Sequence, residues 1–383
     1  MRHKLRGIGY NGGMGLFDSL FSGFSKKKSR SVLGVDIGSS SLKVVQLRKD
    51  GGAAILETYG ELALGPYGGK EVGQATNLPA AKVVETLTDL MREANVTTAD
   101  SGVSIPFSRT LITLVELPRR ESPEEQKTVI ELEARKYIPV PFTEVQLDWF
   151  MVPSASTAVP GQTTVPTQGE KVKVLLVAVH NDMLSLLEGV VRGAQLAASF
   201  YEIEIFSTIR SVVDEPVKPV MVLDIGASAT KVYVVEHGVV ALSHTIPSGG
   251  QDVTRAISSA HGLSIDQAES LKKEHGFRGT PTKGYERKTV ELVFSRIFDE
   301  ARRVLSQFET ANQKAVSSIV LTGGGGVTKE LAEFAKTVFQ VPVALADPFG
   351  KTEAPAFMRP VLEEIGPEFA VAVGLALRKL EEF

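Results

Sequence analysis

The sequence predicts an α/β protein made of duplicated halves that face one another, and a phrase written twice carries most of that prediction. Asp36-Ile37-Gly38-Ser39-Ser40-Ser41-Leu42-Lys43-Val44 returns as Asp224-Ile225-Gly226-Ala227-Ser228-Ala229-Thr230-Lys231-Val232, each copy led in by a β-branched run. The length of 383 residues is the second observation. A single core usually stops growing at about 250–300 residues, so two major bodies are expected. The third is a strand, glycine, helix order, with Ser317 to Leu321 as strand, Thr322-Gly323-Gly324-Gly325-Gly326 as loop, and Val327 to Phe339 in helical periodicity.

Residues 1–30 read as an arm. Met1 to Gly13 is basic and Gly-rich, and Met14 begins what looks like a fresh start. Phe17, Leu20, Phe21 and Phe24 then fall at i, i+3, i+4 and i+7 ahead of Lys26-Lys27-Lys28 and Arg30. Such a stretch lies on an anionic inner membrane, docks on a partner, or stays a mobile arm. It has neither the length nor the cleavage site of a signal peptide.

In the first repeat, Val32 to Ile37 reads as a buried strand and Lys43 to Leu47 as its return; in the second, Val220 to Ile225 and Lys231 to Val235 do the same. Gly38 and Gly226 let the backbone come close to a ligand at the bend. The amides and hydroxyls of Ser39, Ser40 and Ser41, and of Ala227 and Ser228, are donors suited to phosphate oxygens, with Lys43 close by. A carboxylate beside phosphate repels it. Asp36 and Asp224 therefore make chemical sense when Mg2+ and its water shell stand between, and Asp224 is the candidate to orient that ion and an attacking water. A clamped Mg-nucleotide is the expectation.

More sequence separates the repeats than a minimal nucleotide-binding lobe needs. Leu78 to Ala94 and Pro123 to Tyr137 read as helices, the second opened by a Ser122 cap and Pro123 in its first turn. Gly102 to Ile105, Leu111 to Leu117, Val145 to Val152 and Val172 to Val179 read as strands, Asn181 to Leu196 as a helix, and Pro153 to Gly169 as a flexible hairpin loop. This is an inserted subdomain. Near the C-terminal end, Gly366 to Leu380 reads as the last helix of the fold.

Composition removes other classes. There is no Cys, which excludes thiolate zinc sites, disulfides and Cys nucleophiles, and the six His are scattered. A net charge of −3 implies no global nucleic-acid field. No apolar run reaches membrane-spanning length, so the chain is expected not to cross a membrane. Neither Gly-x-x-x-x-Gly-Lys-Ser/Thr nor a Gly-x-Gly-x-x-Gly opening the first helix is present, which disfavours both common nucleotide folds.

The two hairpins, the Gly323 to Gly326 loop and their order resemble the actin-like ATPase superfamily, an α/β fold of duplicated ribonuclease-H-like halves. In that resemblance Gly323, Gly324 and Gly325 form the adenosine loop. Pro247-Ser248-Gly249-Gly250-Gln251-Asp252-Val253-Thr254 and the stretch Ile265 to His275 look like the bacterial actin pattern, which implies Gly249, Gly250, Glu269 and Lys272 beside ribose and adenine. A solvated helix face is the other reading of Glu269 and Lys272. Glu131-Leu132-Glu133-Ala134-Arg135-Lys136-Tyr137-Ile138-Pro139, followed by Glu144-Val145-Gln146-Leu147-Asp148-Trp149, is similar to the PilM family of type IV pilus assembly, with the FtsA family of cell division as neighbour.

That resemblance implies four subdomains with an FtsA/PilM-type insertion in the first half. Residues 31–105 and 196–215 would form subdomain 1A, 106–195 the inserted 1C, 216–254 and 315–383 subdomain 2A, and 255–314 subdomain 2B. It further implies ATP and Mg2+ in the central cleft, and a groove beside the insertion that holds the cytoplasmic N-terminal tail of a PilN-like membrane protein. The protein would then be a cytoplasmic adaptor peripheral to the inner membrane through its partner, and no nucleic acid is involved. The inserted subdomain would offer strand edges for such a tail at Leu111 to Leu117 and Val172 to Val179, and Tyr137, Ile138, Pro139, Val140 and Phe142 supply an apolar wall nearby, or else pack the subdomain's own core. FtsA-like proteins end in a linker and an amphipathic helix, which the end of this sequence does not resemble. A sugar or acetate kinase of the same superfamily is the enzyme alternative, against which stands the lack of a sugar motif after the first loop. ATP turnover and self-association are not fixed by the sequence.

Overall fold

The computed structural model describes residues 31–120, 122–152, 171–214, 217–279 and 285–382. The N-terminal arm, with Met14 and its apolar stripe, and the Pro153 to Gly169 loop lie outside the described residues.

Two sheets of five strands share one plan. In the first, Ser31–Ile37 (β1) and Ser41–Asp50 (β2) form the hairpin, Ala53–Ala63 (β3) adds antiparallel, and Asp100–Ile105 (β4) and Ala197–Ile203 (β8) add in parallel, in the order β3-β2-β1-β4-β8. In the second, Val220–Ile225 (β9), Thr230–Glu236 (β10), Val239–Ile246 (β11), Ser318–Thr322 (β12) and Val343–Leu345 (β13) repeat it as β11-β10-β9-β12-β13. The registers match as well, since Asp36 stands opposite Lys43 and Asp224 opposite Lys231. Each turn is closed alike, Gly38 N–H donating to Ser41 O at 3.1 Å and Gly226 N–H to Ala229 O at 3.0 Å. β1 and β9 are almost wholly buried. Helices on both faces of a sheet demand such apolar runs.

On the first sheet, Ala80–Glu93 (α1) and Asn181–Gly193 (α3) set Leu87, Leu90, Leu187 and Val190 into one core with Val44 and Val103. On the opposite face lie Glu204–Val212 (α4) and the last helix, Ala370–Glu381 (α10), which follows the short helix Arg359–Ile365 (α9). This departs from the expected 315–383 unit in the second half, because α10 sits on β1 and β2. Gly34 and Gly374 permit it: a Cβ at Gly34 would stand 1.9 Å from Ala372 O, and one at Gly374 1.9 Å from Ser207 O. The expected helix Gly366 to Leu380 is also broken, a 3-10 turn at Gly366–Phe369 preceding α10.

The second sheet carries Gly250–His261 (α5), Ile265–His275 (α6) and Arg287–Asn312 (α7). Phe294, Ile297, Phe298 and Ala301 of α7 share a core with Met221, Leu223 and Ile225, so much of 255–314 covers that sheet instead of forming a body of its own.

The insertion is a separate sheet of Thr110–Pro118 (β5), Val145–Val152 (β6) and Lys171–His180 (β7), covered by Pro123–Ala134 (α2). Ser122 caps α2 by accepting from Glu125 N–H at 3.4 Å. The order is β5-β7-β6, so the strand expected as a peptide-accepting edge at Val172 to Val179 is in fact the paired centre. β5 and β6 are the edges, and β5 lies next to β11 of the second half.

Candidate functional site

The two hairpin tips meet across a cleft, where Ser228 Oγ donates to Ser39 Oγ at 3.2 Å. Each tip is held from behind. Thr76 and Leu64 N–H donate to Ser39 O and Ser40 O, both at 2.8 Å, while Gly250 and Gln251 N–H, opening α5, donate to Gly226 O and Ala227 O, both at 2.9 Å. The rim is bridged by Ala75 N–H donating to Gln251 Oε1 (3.2 Å) and Asp266 N–H to Glu71 Oε2 (2.6 Å).

The cleft brings together Asp36, Gly38, Ser39, Ser40, Ser41, Lys43, Asp224, Gly226, Ala227, Ser228, Gly250, Glu269, Lys272, Gly323, Gly324 and Gly325. Gly249 lies one layer back, where a Cβ would stand 2.5 Å from Gly226 O. Glu269 and Lys272 are no solvated face. Both are buried, paired at 2.7 Å, with Thr254 Oγ1 donating to Glu269 (2.6 Å) and Lys272 Nζ to Gly250 O (3.2 Å). The expected groove residues are elsewhere, in the insertion: Ile138 is buried in its core with Val140 and Phe142 packed against it, while Tyr137 is 41% exposed. Ile138 is therefore core, and Tyr137 is not.

The glycine loop differs from expectation at its far end. Gly323 takes φ +80, and a Cβ there would stand 2.5 Å from Asp224 Oδ1 and 2.6 Å from Ile225 O. The helix behind it, Leu331–Val338 (α8), begins four residues later than Val327, because Gly326 and Thr328 N–H close turns on Gly323 O and Gly325 O and Glu330 is left-handed at φ 64. No helix N-terminus stands directly behind the glycines.

Sequence reasoning missed four participants, Glu61, Glu204, Glu368 and the partner role of Lys231. Lys43 Nζ pairs with Glu61 at 2.9 Å and donates to Ser41 Oγ at 2.7 Å. Lys231 Nζ bridges Glu204 (2.6 Å) and Asp224 (3.1 Å). Burial alone would depress Lys231, but Asp224 and Glu204 outweigh it and hold the ammonium charged. Asp36 is pushed up to about 6, chiefly by burial, against the opposing pull of Lys43; Ser104 Oγ donates to its Oδ1 at 3.0 Å. Glu368 rises to about 7 through burial and the neighbouring Glu61, which Lys43 keeps ionised. Glu61 was findable, since it lies across from Lys43 on β3. Glu204 and Glu368 come from remote segments and carried no local signal.

Six carboxylates and four lysines line the cleft, an acidic excess. A bare polyphosphate would be repelled there, whereas its magnesium complex brings the missing positive charge. Among the described residues no cluster of three acidic or imidazole side chains converges as a direct metal cage. The donor set fits an ion held through water and phosphate. Gly323 and Gly325 lack a side chain because a Cβ would run into Asp224 or Ile225 behind them, which leaves bare backbone on that part of the cleft wall.

Duplicated sheets of this order, with a cleft lined by both hairpin tips, place the chain in the actin-like class. In fold it matches MreB 5 of Spiroplasma citri bound to AMPPNP at TM-score 0.50 and 12% identity, over 92% of this chain and 97% of that one. A much nearer likeness is to the PilM–PilN type IV pilus biogenesis complex, at TM-score 0.76 and 25% identity over 91% of this chain and 98% of that chain. The type IV pilus assembly protein PilM model matches residues 34–380, and the chain belongs to that family. It is also 28% identical over 192 residues to the cell division protein FtsA of Neisseria meningitidis serogroup B, and 26% over 235 residues to that of Escherichia coli K12. Those alignments cover 44% and 53% of this chain, and the chain spans about half the length of these curated relatives, 45% and 54%.

Proposed function

We propose that the protein binds Mg-ATP in the cleft and acts as an adaptor of the type IV pilus inner-membrane assembly, capturing the cytoplasmic N-terminal tail of a PilN-like membrane protein. The observation that carries the nucleotide reading is the facing of two hairpin tips of the same turn geometry over matched Asp–Lys registers. Ser39, Ser40 and Ser41 with Ala227 and Ser228 would cradle the phosphates. Asp36 and Asp224 would hold the ion through water, and Gly323 to Gly325, with Glu269 and Lys272, would receive the nucleoside. Bound magnesium would supply charge neutralisation at the phosphates. Asp224, which Lys231 holds at 3.1 Å, would orient the ion and an attacking water.

Family membership and the likeness to a PilM–PilN complex support the partner reading. The inserted sheet supplies edge strands along which an extended peptide gains main-chain hydrogen bonds. Exposed Tyr137 stands at the helix-to-strand junction and supplies apolar surface. No described helix is long and apolar enough to cross a membrane. Contact with the membrane would run through the partner, a reading that the likeness to the PilM–PilN complex supports.

Thermal melting tests the nucleotide half. A ligand at a hundred times its Kd stabilises the native state by about 2.7 kcal/mol, so saturating Mg-ATP should raise Tm by several degrees. Asp36→Ala and Asp224→Ala should shrink or remove that rise. A melting curve indifferent to both nucleotide and mutation refutes the cradle.

A further inference from the structure

One buried carboxylate ties its own helix to two other parts of the chain. Glu204 opens α4 in the first half. Its Oε2 accepts from Lys231 Nζ of the second half at 2.6 Å, and its Oε1 accepts from Phe107 N–H at 2.6 Å. Phe107 begins the 3-10 turn Phe107–Arg109 that runs straight into β5 of the inserted sheet, and Thr110 Oγ1 donates to Phe107 O at 2.8 Å. Pro106, Phe107 and Ser108 also line the cleft. The root of the insertion and the second hairpin thus share one carboxylate.

We propose that Glu204 is a positioning residue through which occupancy of the phosphate site sets the affinity of the inserted subdomain for the extended tail. The inference rests on the reading above that both ligands bind. The physical reason lies in how Lys231 is shared. It divides its protons between Glu204 and Asp224, 2.6 and 3.1 Å away. A polyphosphate with its cation competes for both Lys231 and Asp224, because each is drawn to the opposite charge that arrives beside it. As Lys231 turns toward phosphate, Glu204 loses a charge-assisted partner, and its remaining charge concentrates on Phe107 N–H. That amide bond tightens and fixes the start of β5. A root held in one place costs less to order when a peptide docks on the sheet, so nucleotide tightens capture, and by reciprocity the tail tightens nucleotide.

The test uses the full chain, Mg-ATP, and a synthetic peptide of a PilN-like protein's cytoplasmic N-terminal residues. Calorimetry gives the peptide's Kd at zero and at saturating Mg-ATP. Wild type should bind at least about fivefold tighter with nucleotide, the lower end of common coupling factors, and Glu204→Gln should bring the ratio within about twofold. The ratio is readable whatever the variant does to either affinity alone. In parallel, hydrogen exchange at the Phe107 amide should slow when Mg-ATP binds wild type. Equal peptide Kd with and without nucleotide in wild type, or full coupling retained in Glu204→Gln, overturns the proposal. If Glu204→Gln does not fold, unchanged wild-type exchange at Phe107 overturns it equally. Failure of wild type to bind either ligand removes the proposed function itself, whereas binding of both without coupling removes only this inference.

Discussion

At the scale of single residues, the cleft is organised by acids that the chain cannot fully solvate. Lys43 holds Glu61 ionised, and the proton that burial favours then resides on Glu368, pushed up to about 7. A carboxyl raised above its unfolded value contributes stability that is complete below the unfolded pKa of 4.5 and is lost as pH rises through about 7. Tm without nucleotide should therefore fall between pH 5 and pH 8 at fixed ionic strength, Glu368 contributing the equivalent of about 3 kcal/mol at most and Asp36, raised to about 6, adding in the same direction. Glu368→Gln should flatten that slope and raise Tm at pH 8; an unchanged slope in the variant means that Glu368 does not carry it. The places of Asp36, Lys43, Asp224 and Lys231 on two like hairpins were legible from the repeated phrase, while the ion pair of Lys231 with Asp224 emerges only from the register. Glu204 and Glu368 were not, since their place depends on how remote segments cross, and nothing local in Glu202-Ile203-Glu204 or Pro367-Glu368 announces it.

Among the elements, the hairpins and the helices α1, α2 and α3 follow the sequence to within a few residues, because β-branched runs broken at a glycine turn mark buried strands, and apolar periodicity or a Ser-Pro opening marks each helix. α10 did not declare its neighbour. Ala370 to Ala376 are buried all round, and an apolar pattern without a polar side says that a helix is enclosed but not by which sheet. Likewise the run Val172 to Val179 shows a buried strand without showing that it takes the middle place. The seat of α10 depends on two missing side chains, Gly34 where it meets β1 and Gly374 where it meets α4. Gly34→Ala puts a methyl 1.9 Å from a carbonyl oxygen of the facing helix, where backbone must shift. It should cost about 3 kcal/mol or more in a urea melt. A loss below about 0.5 kcal/mol would show that α10 packs otherwise.

For the whole molecule, duplication was the legible feature, and the identical strand order of the two sheets is its physical counterpart. Each half supplies one hairpin tip to the cleft, so a ligand between them would touch both halves, and the insertion is rooted at Phe107 on the wall of the same cleft. The subdomain limits were less legible. A long helix such as α7 can cover the second sheet while looking, in sequence, like part of an outlying body.

The measurement that bears most directly on the adaptor reading is a calorimetric titration of the Mg-ATP-loaded full chain with the N-terminal peptide of a PilN-like protein, repeated with Tyr137→Ala. Saturable one-to-one binding by wild type is expected. The Tyr137→Ala chain should lose at least about tenfold in affinity, a hot-spot loss, while its Tm and its response to Mg-ATP stay as in wild type. No heat of binding from a folded, nucleotide-loaded wild-type chain would contradict the account.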